Sequence, residues 1–497
     1  MTDTMADTWH ERADGLSIDG RAVIDGERVA AASGAATADV NPATGAVHAE
    51  VAALAAVDID RAVAAARGAF DDGRWSRLSA EDRKVRMLRL ADLMQLHADE
   101  LALLDSLDMG KPVREAREVD VPGAIATFRW YAEAVDKLLD EIPSTPPGST
   151  ALVTREALGV VAAITPWNYP LEIAAWKLAP ALALGNSVVH KPASVSPLSA
   201  LRLADLALEA GIPAGVLNVV PGPGGRVGEA IGLHHGIDAL TFTGSTAVAK
   251  TLLEYSGRSN MKRLSLEAGG KSANIVFADC DDLPGAAETA ARGAFYNQGE
   301  VCSANSRLLV ERRVHDEFVA LVAEAARAYA PGDPLDGASG SGALVSRSHA
   351  DDVWAAITSA RAAGSLVIGA ERLEIDGSDA FIVPTVVTGL PEQHPLHSTE
   401  VFGPLLTVET FETEDEAVAK ANATAYGLAA SVWTSSLSRA HRVSQRLVAG
   451  TVSVNTVDAL GLTTPFGGFK QSGFGRDLSL HAFDAYSALK TTWIQFG

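Results

Sequence analysis

Gly159-Val-Val-Ala-Ala-Ile-Thr165 is a short, almost wholly apolar run closed by Pro166, and it reads as a buried β-strand. Three more runs of the same kind follow it: Asn186-Ser-Val-Val-His-Lys191, Val216-Leu-Asn-Val-Val220 and Ala239-Leu-Thr-Phe-Thr243. Between them Pro170–Leu184, Pro197–Ala210 and Gly225–His234 read as helices. Near-continuous apolar strands alternating with helices predict an α/β fold built on a doubly wound parallel sheet. Such sheets take ligands beyond the carboxyl ends of their strands.

Upstream of this block, Ala-, Leu- and Arg-rich segments at 57–70, 79–107 and 113–138 predict helices, with Ile142–Gly148 as a linker or arm. The first ~20 residues read as a loose acidic leader. A second alternating block runs from about 262 to 475: strands at 273–278, 306–311, 382–387 and 405–411, helices at 283–297 and 314–329. The tail, Ala485–Phe496, has Thr, Trp and Ile at strand spacing and is expected as an edge strand added to another subunit.

The chain of 497 residues exceeds what one core usually supports, so more than one domain is expected. Its net charge of −21 argues against a nucleic-acid partner, which needs a basic footprint. Two cysteines form no disulfide framework, and the N-terminus has neither a basic nor an apolar signal region, so a reducing cytoplasm is expected. Charged residues and prolines interrupt the most apolar stretch, 157–190, so no membrane association is expected. The twelve histidines show no metal-ligand spacing, and no metal is expected.

Several local motifs carry chemistry, each with a bland alternative beside it. Pro221-Gly-Pro-Gly-Gly-Arg-Val-Gly228 follows a strand and opens a helix; it is either a phosphate cradle or a glycine-rich turn. Phe242-Thr-Gly-Ser-Thr246 is a second such junction, and helix starts of this kind favour anions. In Leu266-Glu-Ala-Gly-Gly-Lys-Ser272, Glu267 is either a general base beside glycines that admit a substrate or a cap or partner of Lys271. Cys302, in Asn297-Gln-Gly-Glu-Val-Cys302, is either a buried filler or a nucleophile; its place after the 283–297 helix and beside Gly299 would favour a thiolate. Cys280 lies among acids and reads as structural.

Taken in order, Pro166-Trp-Asn-Tyr-Pro170, His190-Lys-Pro-Ala193, Phe242–Ser245, Leu266–Lys271, Asn297–Cys302, Glu400-Val-Phe-Gly-Pro404 and Pro465–Gly473 resemble the NAD(P)-dependent, non-acylating aldehyde dehydrogenase superfamily. The resemblance covers nearly all of the chain after residue 20, and implies a Rossmann-like cofactor domain (20–138 and 157–262), a second α/β catalytic domain (263–475) and a small β oligomerisation arm (139–156 and 476–497). It implies a homodimer or homotetramer, NAD or NADP as cofactor, and a small aldehyde as substrate. By residue, it implies Cys302 as nucleophile, Asn168 with the Cys302 backbone N–H as oxyanion hole, Glu267 as the base that activates water, and Lys177 with Asp477 as a proton-transfer pair. Thr165, Trp167, Lys191, Ser194, Gly224, Ser245, Glu400 and Phe402 would hold the cofactor. Where NAD-selective relatives often carry Glu, this chain has Ser194, which predicts that NADP is tolerated.

Within the family, Ser259–Cys280, Gly475–His481 and Leu489–Ile494 are most similar to gamma-glutamyl-gamma-aminobutyraldehyde and other aminoaldehyde dehydrogenases of polyamine breakdown. The resemblance places Asp120, Tyr169, Glu172, Ile173, Trp176, Phe295, Val301, Ser303, Asp458, Leu460 and Phe466 along a substrate tunnel. Three acids there would favour an ammonium-bearing substrate, with betaine aldehyde, succinate semialdehyde or plain aliphatic aldehydes as alternatives. A CoA-acylating enzyme conflicts with Glu267, an inactive paralogue with the presence of Cys302, Glu267 and Asn168, and a cysteine hydrolase with the nucleotide motifs.

Overall fold

The computed structural model describes residues 8–496, and the leader's first seven residues lie outside them. The opening apolar run forms the strand Val160–Ile164, every residue of it buried. It lies inside an eight-stranded sheet ordered Glu27–Val29, Ala22–Ile24, Leu217–Val219, Ser187–Lys191, Val160–Ile164, Ala239–Gly244, Arg263–Ala268 and Gly473–Phe474. The five from Leu217–Val219 to Arg263–Ala268 run parallel, and the flanking strands pair antiparallel. Strand order runs outward one way from Val160–Ile164, then restarts on its other side at Ala239–Gly244. That reversal is a topological switch point, where α/β sheets open a crevice.

The helices between these strands fall where they are predicted, at Pro170–Ala183, Leu198–Glu209 and Gly224–Leu233. Two expectations need correction. The strand Arg263–Ala268 completes the first sheet rather than opening the second, because it pairs along its whole length with Ala239–Gly244. The leader is not wholly loose: Trp9–Asp14 is helical, capped by Thr8 and Glu11. The tail does form a strand: Ser487–Gln495 pairs antiparallel with Ser149–Ala157, the other segment assigned to the arm, in a two-stranded ribbon. The long helices also divide, at His97 and at a π-helical turn over Ala116–Asp120.

A second, seven-stranded sheet is ordered Ser365–Ile368, Thr385–Thr388, Leu405–Phe411, Arg307–Glu311, Ala273–Val276, Ala429–Trp433 and Thr451–Val454. All its pairings are parallel except the first. Leu283–Phe295 lays Ala286, Ala287, Ala290, Ala291 and Ala294 against this sheet, a period-3.6 stripe of small side chains. No helix among the described residues is long and apolar enough to cross a membrane.

Candidate active site

Beyond Phe295 the chain enters a tight turn in which Asn297 (φ 50°), Gln298 (φ 57°) and Gly299 (φ 71°) are all left-handed. Gly299 is needed there, since a Cβ would come within 2.6 Å of the Gly403 backbone. The turn delivers Cys302 to the meeting point of two cavities. One, of about 220 Å³, is lined by Trp167, Asn168, Thr243, Ser245, Glu267, Glu400, Phe402 and Cys302. The other, of about 340 Å³, is lined by Tyr169, Glu172, Ile173, Trp176, Val301, Cys302, Ser303, Asp458, Leu460 and Phe466.

The smaller cavity opens at the switch point of the first sheet. Thr165–Asn168 follow the carboxyl end of one central strand, Gly244 and Ser245 that of its neighbour, and Glu267–Gly269 that of the next. The Gly269-Gly270 pair is required, but not to admit a substrate. A Cβ on Gly269 would come within 2.1 Å of Glu400 Oε2, and one on Gly270 within 2.3 Å of the Cys302 carbonyl oxygen. The pair instead seats the cofactor-side and nucleophile loops against each other, and the Gly270 N–H donates to Glu400 Oε1 at 2.8 Å.

Asn168 is buried, and its Nδ2 donates to the Glu300 carbonyl at 2.8 Å. A primary amide has two N–H donors, so one is left for a ligand beside Cys302. Glu267 is buried with Oε1 unpartnered; burial, opposed by Lys177 and reinforced by Asp477, pushes its carboxyl up to about 8. Burial, then the charges of Glu267, Asp458 and Glu400, hold the Cys302 thiol well above its ordinary range. The expected thiolate stabilisation by the preceding helix is therefore absent: that helix ends at Phe295 and presents its C-terminal, negative end. Lys177 and Asp477 form a buried ion pair close to Glu267. Lys271 is no partner of Glu267; its charge acts on Glu400 instead.

Along the first sheet's edge the remaining residues form a cradle suited to a dinucleotide. The helix Gly224–Leu233 has no side-chain cap, and a Cβ on Gly224 or Gly225 would meet nothing within 4 Å. Ser245 caps the helix Thr246–Arg258. Lys191 is buried and, among the described residues, has only the Pro192 carbonyl as acceptor; burial lowers its ammonium to about 8. The Ser194 hydroxyl donates to the Gly222 carbonyl at 2.8 Å, which joins the loop after Lys191 to the one before Gly224. Open backbone donors at a helix start, an unpaired buried cation and a carboxylate at the other end match phosphate and ribose chemistry. The Thr165 hydroxyl is engaged by His190 Nε2 at 2.9 Å, and, like Lys191, Ser194 and Gly224, Thr165 lies outside the wall of the smaller cavity.

Two expected tunnel residues are displaced. Asp120 is fully buried against Lys111, which neutralises a carboxylate otherwise too costly to bury, and its neighbour Val119 lines the cavity. Phe295 packs into the second core against Tyr329, and Tyr296 takes the cavity position because the helix has just ended. Trp176 and Phe466 meet edge to face at 5.4 Å. The Ser303 hydroxyl donates to Asp458 Oδ1 at 2.7 Å. Sequence reasoning missed His349, whose Nε2 lies 2.8 Å from the Phe402 carbonyl and whose ring meets Trp167 edge to face. It also missed Arg292, on the wall of the larger cavity. Nothing in the local sequence marks His349, whereas Arg292 stands one turn before Tyr296 on a recognisable helix.

Among the described residues, Asp39, His48 and Asp108 have metal-ligand spacing. Against burial, which would lower it, the two carboxylates raise His48 to about 9. An imidazolium already bridging two acids supplies the positive charge itself, so the cluster needs no ion.

The family model described as "Aldehyde dehydrogenase family" matches residues 29–492. The chain is 51% identical over 486 residues to Escherichia coli NADP/NAD-dependent aldehyde dehydrogenase PuuC, covering 98% of each. A solved structure of Pseudomonas syringae indole-3-acetaldehyde dehydrogenase with NAD+ and IAA superposes with TM-score 0.97 at 52% identity, over 99% of this chain and 100% of that one. One of gamma-glutamyl-gamma-aminobutyraldehyde dehydrogenase from Burkholderia cenocepacia gives 0.96 at 50%, over 98% and 99%.

Proposed function

The chain belongs to the aldehyde dehydrogenase family, and on that premise we propose that it oxidises ω-amino or γ-glutamylamino aldehydes of polyamine breakdown to carboxylic acids with NAD or NADP. The observation that carries the reading is Cys302 at the junction of the two cavities, with Asn168 and Glu267 beside it in the smaller one. The larger cavity holds the aldehyde; burial raises the carboxyls of its acids Glu172 and Asp458, and an ammonium group bound beside them would favour their charged form, which suits a cationic chain.

Cys302 Sγ bonds to the aldehyde carbon, and the thiol proton passes to Glu267, whose raised affinity suits it as acceptor. The free N–H of Asn168 and the Cys302 backbone N–H donate to the oxygen that becomes negative, giving a thiohemiacetal. Bound NAD(P)+ supplies an acceptor for the hydride that leaves this carbon. The product is a thioester on Cys302. Glu267, its proton handed on toward the Lys177–Asp477 pair, takes a proton from water, which attacks the thioester and displaces the thiol. Trp167, Lys191, Ser194, Gly224, Ser245, Glu400 and Phe402 hold the cofactor in the switch-point crevice.

Asn168→Ala is expected to lower kcat by ~10²–10³-fold with little change in KM, since the lost donor serves the developing oxyanion. Steady-state kinetics beside a melting curve check this. Coenzyme choice follows from Ser194, whose hydroxyl leaves no carboxylate to repel a 2′-phosphate. The wild type is expected to use both coenzymes, and Ser194→Glu to cut kcat/KM for NADP by at least about tenfold relative to NAD.

Reduced-coenzyme absorbance across amino-, γ-glutamylamino-, trimethylammonium and aliphatic aldehydes tests the substrate reading; a preference for uncharged aldehydes would reject it. The aromatic wall of Tyr169, Trp176 and Phe466 favours a second reading, an aryl aldehyde such as the P. syringae relative's indole-3-acetaldehyde, which belongs in the same panel. The Ser149–Ala157 and Ser487–Gln495 ribbon leaves Leu489, Trp493 and Ile494 exposed at 62%, 56% and 46%, which supports assembly into a dimer or tetramer. The cytoplasm is the setting proposed for this chemistry.

A further inference from the structure

Behind the aromatic wall of the larger cavity, a buried lysine stands between an acid and a ring. Lys111 follows Gly110, whose left-handed backbone (φ 81°) ends the helix Ala98–Met109. The turn is pinned on both sides. The Ser106 hydroxyl donates to the Lys111 carbonyl at 2.7 Å, and the Val113 N–H donates to the Pro334 carbonyl at 2.8 Å. The Lys111 side chain is fully buried. Its ammonium pairs with the Asp120 carboxylate and lies over the Tyr169 ring, 4.1 Å from the ring centre.

Tyr169 lines the cavity and packs against the apolar cluster of Ile173, Trp176 and Phe466. Its hydroxyl has no hydrogen-bond partner among the described residues, so no polar contact orients the ring. Its place therefore rests on that packing and on the ammonium. The π-helical turn over Ala116–Asp120 is what carries Asp120 off the cavity wall to meet Lys111, and such turns recur at functional sites. Asp120 already balances the charge, so the ring contact is a second use of it. A cation over an aromatic face is attracted by the ring's quadrupole, more strongly where water is excluded.

We propose that Lys111 is a positioning residue for the aldehyde: held by Asp120, its ammonium fixes the Tyr169 ring as a wall of the larger cavity. The proposal rests on the aldehyde-oxidising reading and adds to it a residue outside the cavity that governs substrate affinity. Asn168, next to Tyr169, has anchors of its own: its Nδ2 donates to the Glu300 carbonyl at 2.8 Å, and its carbonyl accepts from Asn297 Nδ2 at 3.2 Å. The oxyanion donor should thus stay in place when the ring loosens, and the effect should fall on KM rather than kcat.

Lys111→Met alone would leave Asp120 buried without its partner, so the test removes both charges in Lys111→Met/Asp120→Asn. KM and kcat are measured with hexanal and 4-aminobutyraldehyde, in the wild type and in Tyr169→Phe and Tyr169→Leu backgrounds. The paired variant is expected to raise KM for both aldehydes by roughly threefold to thirtyfold and to leave kcat within about twofold. The loss should persist in Tyr169→Phe, which keeps the ring, and vanish in Tyr169→Leu, which has none. A loss undiminished in Tyr169→Leu, or one that falls on kcat, would assign Lys111 to the fold alone and overturn the proposal. An unchanged KM would overturn it too. Failure of the underlying reading is separate: the wild type would then reduce coenzyme with neither aldehyde. Urea midpoints over the same cycle read the ring contact without substrate, and a pair effect equal in all three backgrounds there would also overturn the proposal.

Discussion

Replacing Cys302 with alanine is expected to lower aldehyde oxidation by at least about 10⁴-fold, because among the described residues Cys302 alone lines both cavities and the covalent route has no other nucleophile at their junction. The second thiol, Cys280, is only partly buried, its Sγ lying 3.6 Å from the Asp282 carbonyl, and it lines neither cavity. Cys280→Ala should therefore leave the rate within about twofold. The comparison is informative because neither side chain is activated where it stands. Burial and neighbouring acids hold the Cys302 thiol protonated, so its reactivity comes from position and from proton removal, not from a standing thiolate. Initial rates of coenzyme reduction for both variants, with melting curves to confirm folding, decide it.

The second large effect falls on Glu267. Glu267→Gln keeps the shape but cannot take a proton, and deacylation should slow by ~10²–10⁴-fold. Acylation also loses Glu267 as acceptor of the thiol proton, but the thiol can give that proton to solvent before the aldehyde enters, so this step should suffer less than deacylation, and mixing enzyme with aldehyde and coenzyme should give a burst of about one reduced coenzyme per active site and then near silence. The pH profile follows from the same burial. A carboxyl held up to about 8 is mostly protonated at neutral pH and gains its basic form as pH rises. Wild-type kcat should therefore climb through about pH 8 where deacylation limits it, and the Gln variant should lose that rise. A Gln variant that keeps the wild-type slope would assign the ionisation elsewhere.

The doubly wound sheet was legible because Val160–Ile164 and its neighbours are buried on both faces, which leaves unbroken apolar runs in the sequence. Arg263–Ala268 was harder to assign, since membership of a sheet depends on pairing with a strand across space, and the sequence on either side alternates in the same way. The glycines at 269 and 270 could be read as a demand for close approach. What approaches, Glu400 and the Cys302 loop, comes from more than thirty residues away. Side-chain direction was the least legible property. Asp120 and Phe295 were one residue out of place, with Val119 and Tyr296 facing the cavity, because a π-helical turn and a helix end shift the lining by one position. Arg292 and His349 belong to no short motif, and only packing brings them to the two cavities.

The central claim is a covalent acyl intermediate on Cys302, and intact-protein mass measurement of Glu267→Gln, after exposure to oxidised coenzyme and a γ-glutamylamino or amino aldehyde, tests it most directly. The account predicts one added acyl group per chain, mapped by peptide fragmentation to Cys302, released by hydroxylamine and missing when coenzyme is omitted. An unmodified chain under turnover conditions, or an acyl group found on Cys280, would contradict it.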